Sequence, residues 1–138
     1  MPTLDYKYAV VAGRRSPLIP LGLDFGGRWQ RVEAYVDSGA FYSVFKVGFA
    51  IAIDIEWQKG EKRYVQVGDG GLIPVYLHTV DLQLRQQRFS GQIGFSDHLG
   101  VSFNLIGRIP LFTHFEICFD DRQGIIRLTP YEPVPAVT

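Results

Sequence analysis

The chain has 138 residues, of which 46% are hydrophobic and 20% charged, a composition that fits one globular domain and excludes a disordered chain. Fourteen basic residues balance fourteen acidic ones, so the chain lacks the basic excess of a general nucleic-acid surface. The single cysteine, Cys118, excludes an internal disulfide framework, and the histidines have no metal-ligand spacing. We therefore expect one domain over residues 1–138, with no cofactor, no metal and no nucleic-acid partner.

No segment has the length of a targeting or membrane-spanning element. The apolar stretch at residues 8–12 is too short for a signal peptide. No apolar run approaches the roughly 20 residues that a membrane helix requires. We expect a cytoplasmic protein that does not contact a membrane.

The first structural signal in chain order is a β-hairpin. Residues 18–25 and 29–36 flank Gly26 and Gly27, and glycine tolerates the positive φ of a tight turn. The second arm alternates apolar and polar residues, which indicates a half-buried strand. Asp37 follows directly, so it is predicted to lie in a loop at the end of that strand.

The middle of the chain predicts one ambiguous segment and a second hairpin. Residues 44–53 suit a buried strand or a short helix, and we favour one or two helical turns followed by a return to strand. Residues 63–67 alternate, and a glycine-rich segment separates them from a long extended arm at residues 72–84. Pro74 indicates that part of this arm lies at a sheet edge.

The last third predicts more strands and a tail. We expect strands at residues 92–95 and 102–106, one helical turn at 110–114, and a terminal hairpin formed by 116–120 and 124–128. Residues 130–138 are rich in proline and are expected to be a frayed or docked tail.

The strongest chemical signal is Asp37-Ser38-Gly39-Ala40, where a carboxylate at a strand end is followed by a hydroxyl and a glycine. Taken alone, this pattern also forms an ordinary turn or a helix cap. A later apolar run, residues 103–106, also ends at a glycine, Gly107. The ordered pair resembles the two halves of a retroviral-type (retropepsin-like) aspartic protease subunit, in which an Asp-Thr/Ser-Gly-Ala loop is pinned by an apolar-apolar-Gly-Arg segment.

The resemblance covers roughly residues 18–128 and points to a bacterial or cellular member of that family. It implies an all-β, closed β-barrel acid-protease fold with one or two short helices. It also implies a homodimer, and a cleft that takes a peptide or protein substrate as an added strand.

The resemblance also assigns roles to individual residues. The catalytic loop is Asp37, Ser38 and Gly39. Substrate binding falls to Ala40, Phe41 and Tyr42 and to a flap formed by Gly68, Asp69, Gly70 and Gly71. Support from behind the loop comes from Leu105, Ile106, Gly107 and Arg108. From the residues alone, core packing remains an alternative for Phe41 and Tyr42, and a plain surface turn for the glycine-rich segment.

Hydrolysis by paired carboxylates needs one group to take a proton from water and another to give one to the substrate. The chain has a single Asp-Ser/Thr-Gly, so on this hypothesis the second Asp37 comes from another copy, across a twofold axis. We therefore predict an aspartic endopeptidase that is active as a homodimer.

One departure from the family pattern supports an alternative. In retroviral proteases the arginine of the second motif pairs with an aspartate just after the catalytic loop, and here Phe41 occupies that place. Arg108 therefore lacks its usual partner. The alternative function is a catalytically inactive protease-fold module for dimerisation or peptide binding.

Overall fold

The computed structural model describes residues 3–52, 55–68 and 70–131. Strands dominate these ranges. In chain order they are β1 (Leu4–Lys7), β2 (Ala9–Val11), β3 (Arg14–Ser16), β4 (Leu18–Phe25), β5 (Arg28–Val36), β6 (Val44–Lys46), β7 (Glu61–Gln66), β8 (Leu72–Leu84), β9 (Gln87–Ser96), β10 (Asn104–Ile106), β11 (Phe115–Asp120) and β12 (Ile125–Pro130). A short helix α1 (Gly48–Ala52) and a 3₁₀ turn (Trp57–Lys59) lie between β6 and β7.

The main sheet closes on itself. Its strand order is β4-β5-β10-β6-β9-β8-β7, and β4 also pairs with β8. Strands β4, β5, β10, β6, β9 and β8 therefore form a ring of hydrogen-bonded strands, and β7 extends from β8 outside the ring. Three further strands form a separate sheet in the order β1-β12-β11, and β2 pairs with β3.

The main core is formed by inward-pointing alternate residues of the ring strands together with residues of the three-stranded sheet, namely Leu4, Phe115, Ile126 and Leu128. In β4 the inward positions are Ile19, Leu21 and Leu23, all buried. Fully burying such a side chain contributes about 1.5–3 kcal/mol relative to leaving it exposed. A second, smaller core is formed by Val44, Val75, Leu77 and Leu99.

Most predicted strands are confirmed. The hairpin of β4 and β5, the long arm β8 and the terminal hairpin of β11 and β12 lie where the pattern placed them. Around Pro74, β8 pairs with β7, while its ladder with β9 begins only at Tyr76, so this part of β8 is strand-paired on one side only, as expected. The Pro74 carbonyl accepts a hydrogen bond from the Ser96 hydroxyl at 2.8 Å. The all-β class with short helical pieces is also confirmed.

One local prediction needs correction, and one lies outside the described residues. Residues 44–53 were expected to begin with a helix, but strand β6 comes first and α1 follows. The single turn expected at residues 110–114 is present, and in it the Phe115 N–H donates to the Leu111 carbonyl at 3.0 Å. No strand was predicted for the residues that form β1, β2 and β3. Residues 132–138 of the proposed tail lie outside the described part of the chain.

Candidate active site

Asp37 lies at the first residue after β5, where β10 runs parallel to it with Ile106 beside Val36. Its backbone N–H donates to the Ile106 carbonyl at 3.0 Å, so the parallel ladder extends one residue into the loop. The Gly39 N–H donates to Asp37 Oδ1 at 2.9 Å. The half-buried carboxylate is therefore held by the backbone of its own loop.

Residues 107–109 lie directly against this loop. The Arg108 N–H donates to the Ala40 carbonyl at 2.8 Å, and the Ile109 N–H donates to the Phe41 carbonyl at 2.9 Å. A Cβ placed on Gly107 would lie 2.3 Å from the Ala40 carbonyl oxygen, which is closer than real Cβ atoms come. The close approach of the two segments therefore requires glycine at this position.

Ser43 joins the two segments through its side chain. Its hydroxyl accepts a hydrogen bond from the Gly107 N–H at 2.8 Å and donates one to the Ile109 carbonyl at 2.6 Å. Only 1% of Ser43 is exposed, so these bonds satisfy backbone groups that water cannot reach. Sequence reasoning missed this role because both partners lie more than 60 residues away along the chain.

The side chain of Arg108 does not stabilise the loop through an ion pair with any described residue. It is exposed, and its contribution to the loop comes from its backbone. Phe41, at the position expected to carry the acidic partner, is 58% exposed. Its ring packs edge-on against Tyr42, with centroids 5.1 Å apart.

A cleft of about 820 Å³ opens next to Asp37. Three parts of the chain form its walls: the Asp37 loop, the end of β7 and residues 99–101. Several apolar residues in these walls belong to the smaller core or pack against it. The lining residues are Asp37, Gly39, Ala40, Phe41, Tyr42, Val44, Tyr64, Val65, Gln66, Val67, Gly68, Leu99, Gly100, Val101 and Leu105.

The cleft brings together many, but not all, of the predicted site residues. Ala40, Phe41, Tyr42 and Gly68 line it with Asp37. Ser38 is exposed and does not line it, and neither do Gly70 and Gly71, while Asp69 lies outside the described residues. The walls contributed by residues 64–67 and 99–101 were not predicted. The sequence showed the alternating residues of β7, but no neighbouring residue indicated which loop this strand would face.

The hairpin between β7 and β8 closes with two backbone hydrogen bonds. The Val67 N–H donates to the Gly71 carbonyl and the Gly70 N–H donates to the Val67 carbonyl, both at 2.9 Å. Gly70 has a φ of +85°, which side-chain-bearing residues rarely adopt. Within β7 of this hairpin, a hydrogen bond to Tyr64 raises the pKa of Lys62.

Asp37 is the only acidic side chain among the cleft-lining residues that the structure describes. Within the same ranges, no group of three or more histidine, cysteine, aspartate or glutamate side chains is placed to hold a metal ion. None of the described helices is long and apolar enough to cross a membrane.

No protein-family model matches the sequence, and no curated protein does. Among solved structures, the fold is similar to a retropepsin-like aspartic protease from Rickettsia conorii, with 13% sequence identity, 92% of this chain and 90% of that chain covered, and a TM-score of 0.61. It is also similar to EIAV protease complexed with the inhibitor HBY-793, at 16% identity, with 72% of this chain and 88% of that chain covered and a TM-score of 0.49. The chain thus has a retropepsin-like fold, as the motifs predicted.

Proposed function

We propose that the protein is an aspartic endopeptidase in which the Asp37 carboxyls of two copies activate a water molecule between them. The observation that carries this proposal is the setting of Asp37. Its carboxylate is oriented by the Gly39 N–H at 2.9 Å and lines a cleft of about 820 Å³. This volume is within the usual range of ligand sites, roughly 300–1,000 Å³.

The proposed chemistry needs the two carboxyls to share one proton. Like charges about 3 Å apart do not both ionise easily, so the pair holds one proton between them. The ionised carboxylate takes a proton from water, whose oxygen attacks the peptide carbonyl carbon. The protonated carboxyl gives its proton to the carbonyl oxygen. The carboxyl that took the proton from water then gives it to the leaving amine nitrogen, while the other carboxylate takes a proton from a hydroxyl of the tetrahedral intermediate, which collapses to the acid.

A second copy is required because one chain supplies half of this pair. No other acidic residue lines the described part of the cleft. A twofold axis beside Asp37 would place an identical carboxyl next to the first and extend the cleft into the partner copy.

The substrate is proposed to bind as an extended strand. Strand β7 pairs with β8 on one side and is the last strand of the main sheet, so its other edge is open in the described structure. Peptides commonly add to such an edge through backbone hydrogen bonds, and neighbouring pockets give specificity. Tyr64, Val65 and Val101 offer apolar contacts beside that edge. The hairpin between β7 and β8 is proposed to act as a flap that excludes water.

Replacement of Asp37 by asparagine tests the mechanism. Asp37→Asn keeps the side-chain shape but removes both ionisable groups of the proposed pair. We expect peptidase activity to fall by at least about 10²-fold to 10⁴-fold, the usual contribution of acid–base catalysis. The control is Asp97→Asn, because Asp97 is exposed and does not line the cleft. Equal peptidase rates for the wild type and the Asp37→Asn variant would rule out the mechanism.

A second candidate function is a peptide-binding module without catalysis. The exposed Phe41 and the absence of an ion pair for Arg108 with any described residue favour it, because the loop lacks a contact that the resemblance implies. Incubation with a diverse peptide library at acidic and neutral pH separates the two candidates. Binding without cleavage of any peptide would support the module.

A further inference from the structure

A second concavity, of about 500 Å³, lies on the outside of the strand ring, where β4 pairs with β8. We call it the arginine trough and define it by Gly22, Trp29, Arg31, Gln83, Arg85 and Arg88. Arg31 precedes Asp37 by six residues on the same strand. At about 3.3 Å per residue, the trough is roughly 20 Å from the candidate active site along β5.

The trough originates in the strand register. Arg31 is opposite Gly22, Gly22 is opposite Gln83, and Gln83 is opposite Arg88, in one row across β5, β4, β8 and β9. Neighbouring strands are about 4.8 Å apart, so the path along this row from the Arg31 backbone to the Arg88 backbone is roughly 14 Å. The Arg88 side chain spans much of that path, because its guanidinium lies over the ring of Trp29 on β5. Gly22 leaves the row open between Arg31 and Arg88, and the Trp29 ring lies 3.4 Å from the position of a Gly22 Cβ.

Two of the three guanidinium groups are stacked on aromatic rings. The guanidinium carbon of Arg88 is 4.9 Å from the centroid of Trp29, and that of Arg85 is 4.4 Å from the centroid of Tyr6. Such stacking holds an arginine in place without using its hydrogen-bond donors. The charges are therefore positioned before any ligand binds.

Most donors of these arginines are not used within the chain. Arg88 Nε donates to Gln83 Oε1 at 2.9 Å, and Arg85 donates to the Asp5 carbonyl. A guanidinium has five N–H donors, so most remain available on each group. None of the three forms an ion pair with a carboxylate in the described ranges.

The acidic residues nearest to the trough on these strands do not line it. Glu33 is two residues from Arg31 on β5 and forms no ion pair with it. Asp24 and Asp81 are opposite each other on β4 and β8, two residues along from Gly22 and Gln83. Asp81 accepts a hydrogen bond from Ser90 at 2.5 Å. Neither aspartate lines the trough. Among the described residues, the trough thus holds three arginines that have no ion-pair partner, in a chain with no net charge.

We propose that the arginine trough binds an extended peptide segment that carries several carboxylates. The Arg88 guanidinium lies over Trp29 and that of Arg85 over Tyr6, so the charges are spread over different parts of the trough. Successive carboxylates of an extended peptide can each meet one guanidinium, whereas a single compact anion supplies only one partner. A guanidinium pairs with a carboxylate through two parallel hydrogen bonds. The Trp29 ring offers an apolar contact to the part of the peptide between two such pairs. The site does not depend on the proposed catalysis at Asp37.

The experiment is fluorescence anisotropy with a labelled peptide in which glutamate alternates with serine, compared with its glutamine counterpart. We expect binding of the acidic peptide alone, weakening as salt is added because exposed charges are screened. The double variant Arg31→Gln/Arg88→Gln should bind at least about tenfold more weakly, since it loses two bidentate pairs. The matched control Arg14→Gln/Arg122→Gln removes two exposed arginines elsewhere and should bind like the wild type.

Several outcomes would overturn the proposal. The first is that the acidic peptide does not bind. The second is that both double variants lose the same affinity for it. The third is that inorganic phosphate or a single-stranded oligonucleotide competes as well as the unlabelled acidic peptide. If the Arg31→Gln/Arg88→Gln variant does not fold, titration of the wild type by NMR decides instead. The indole N–H signal of Trp29 should then shift while that of Trp57 stays fixed, and the reverse result contradicts the proposal. Asp37→Asn should bind the peptide as tightly as the wild type, which separates this site from the proposed peptidase.

Discussion

At the scale of single residues, the geometry of the Asp37 loop depends on two small side chains that do not contact substrate in the proposed mechanism. Gly107 lets the backbone that follows β10 approach Ala40, and Ser43 satisfies the Gly107 N–H and the Ile109 carbonyl. Gly107 avoids a steric clash and Ser43 avoids unsatisfied polar groups, so neither residue needs to be reactive. The position of the carboxylate is thus fixed largely by the backbone.

Gly107→Ala tests this account. The added methyl would meet the Ala40 carbonyl oxygen at 2.3 Å, so the loop or β10 has to move. We expect the free energy of unfolding to fall by about 1–3 kcal/mol, the usual cost of overpacking. Gly100→Ala is the matched control, because a Cβ there meets nothing within 4 Å. Equal denaturant midpoints for both variants would show that the close approach of the two segments is not required.

At the scale of elements, the hairpin between β7 and β8 combines a long, well-paired stem with a glycine-rich tip. The ladder runs from Glu61 opposite Leu77 to Gln66 opposite Leu72. Tyr64 and Leu72 near the tip are 63% and 64% exposed, so little apolar burial holds this end in place. Segments with few buried contacts open most easily, which suits a structure that closes over a ligand.

Replacement of Gly70 tests how the tip is held. Gly70→Ala puts a Cβ at a φ of +85°, which costs about 1–2 kcal/mol for an ordinary residue. If that cost destabilises the hydrogen-bonded conformation of the tip, hydrogen exchange of the Val67 amide should speed up by roughly 5–30-fold. Gly68→Ala is the control, since it has no positive φ and a Cβ there meets nothing within 4 Å. Identical exchange rates in the two variants would contradict this description.

At the scale of the whole molecule, the question is how two copies would meet. In the small sheet, β12 is paired with β1 on one side and β11 on the other. Both edges of this terminal strand are therefore occupied within one chain. An added strand from a partner would have to pair with β1 or β11, the two outer strands of this sheet in the described structure. We propose these edges as the dimer contact.

The dimer proposal predicts a specific dependence on concentration. If one chain holds half of a site, peptidase activity per milligram should fall on dilution as the dimer dissociates. Specific activity and sedimentation measured over one concentration series should change together. Constant specific activity in a range where the protein sediments as a monomer would rule out a shared site.

Local patterns in the sequence were enough for most of the strands and for the place of Asp37. Alternation with a period of two marks a strand wherever one face is buried, and Gly26, Gly27 and Gly124 mark turns because each adopts a positive φ. The order of strand and helix in residues 44–53 was missed because a short apolar run fits both. β1 was missed because its four residues are ordered by pairing with β12.

The sequence by itself thus determined the strand pattern, the turns and the carboxylate loop, because these depend on residues that are neighbours in the chain. Only the tertiary structure decided which distant segments meet. Ser43 reaches Gly107, the end of β7 faces Asp37, and Arg31 shares a row with Arg88 through the register of four strands. Register depends on pairing between residues far apart in sequence, and a shift by one residue would turn every side chain to the other face.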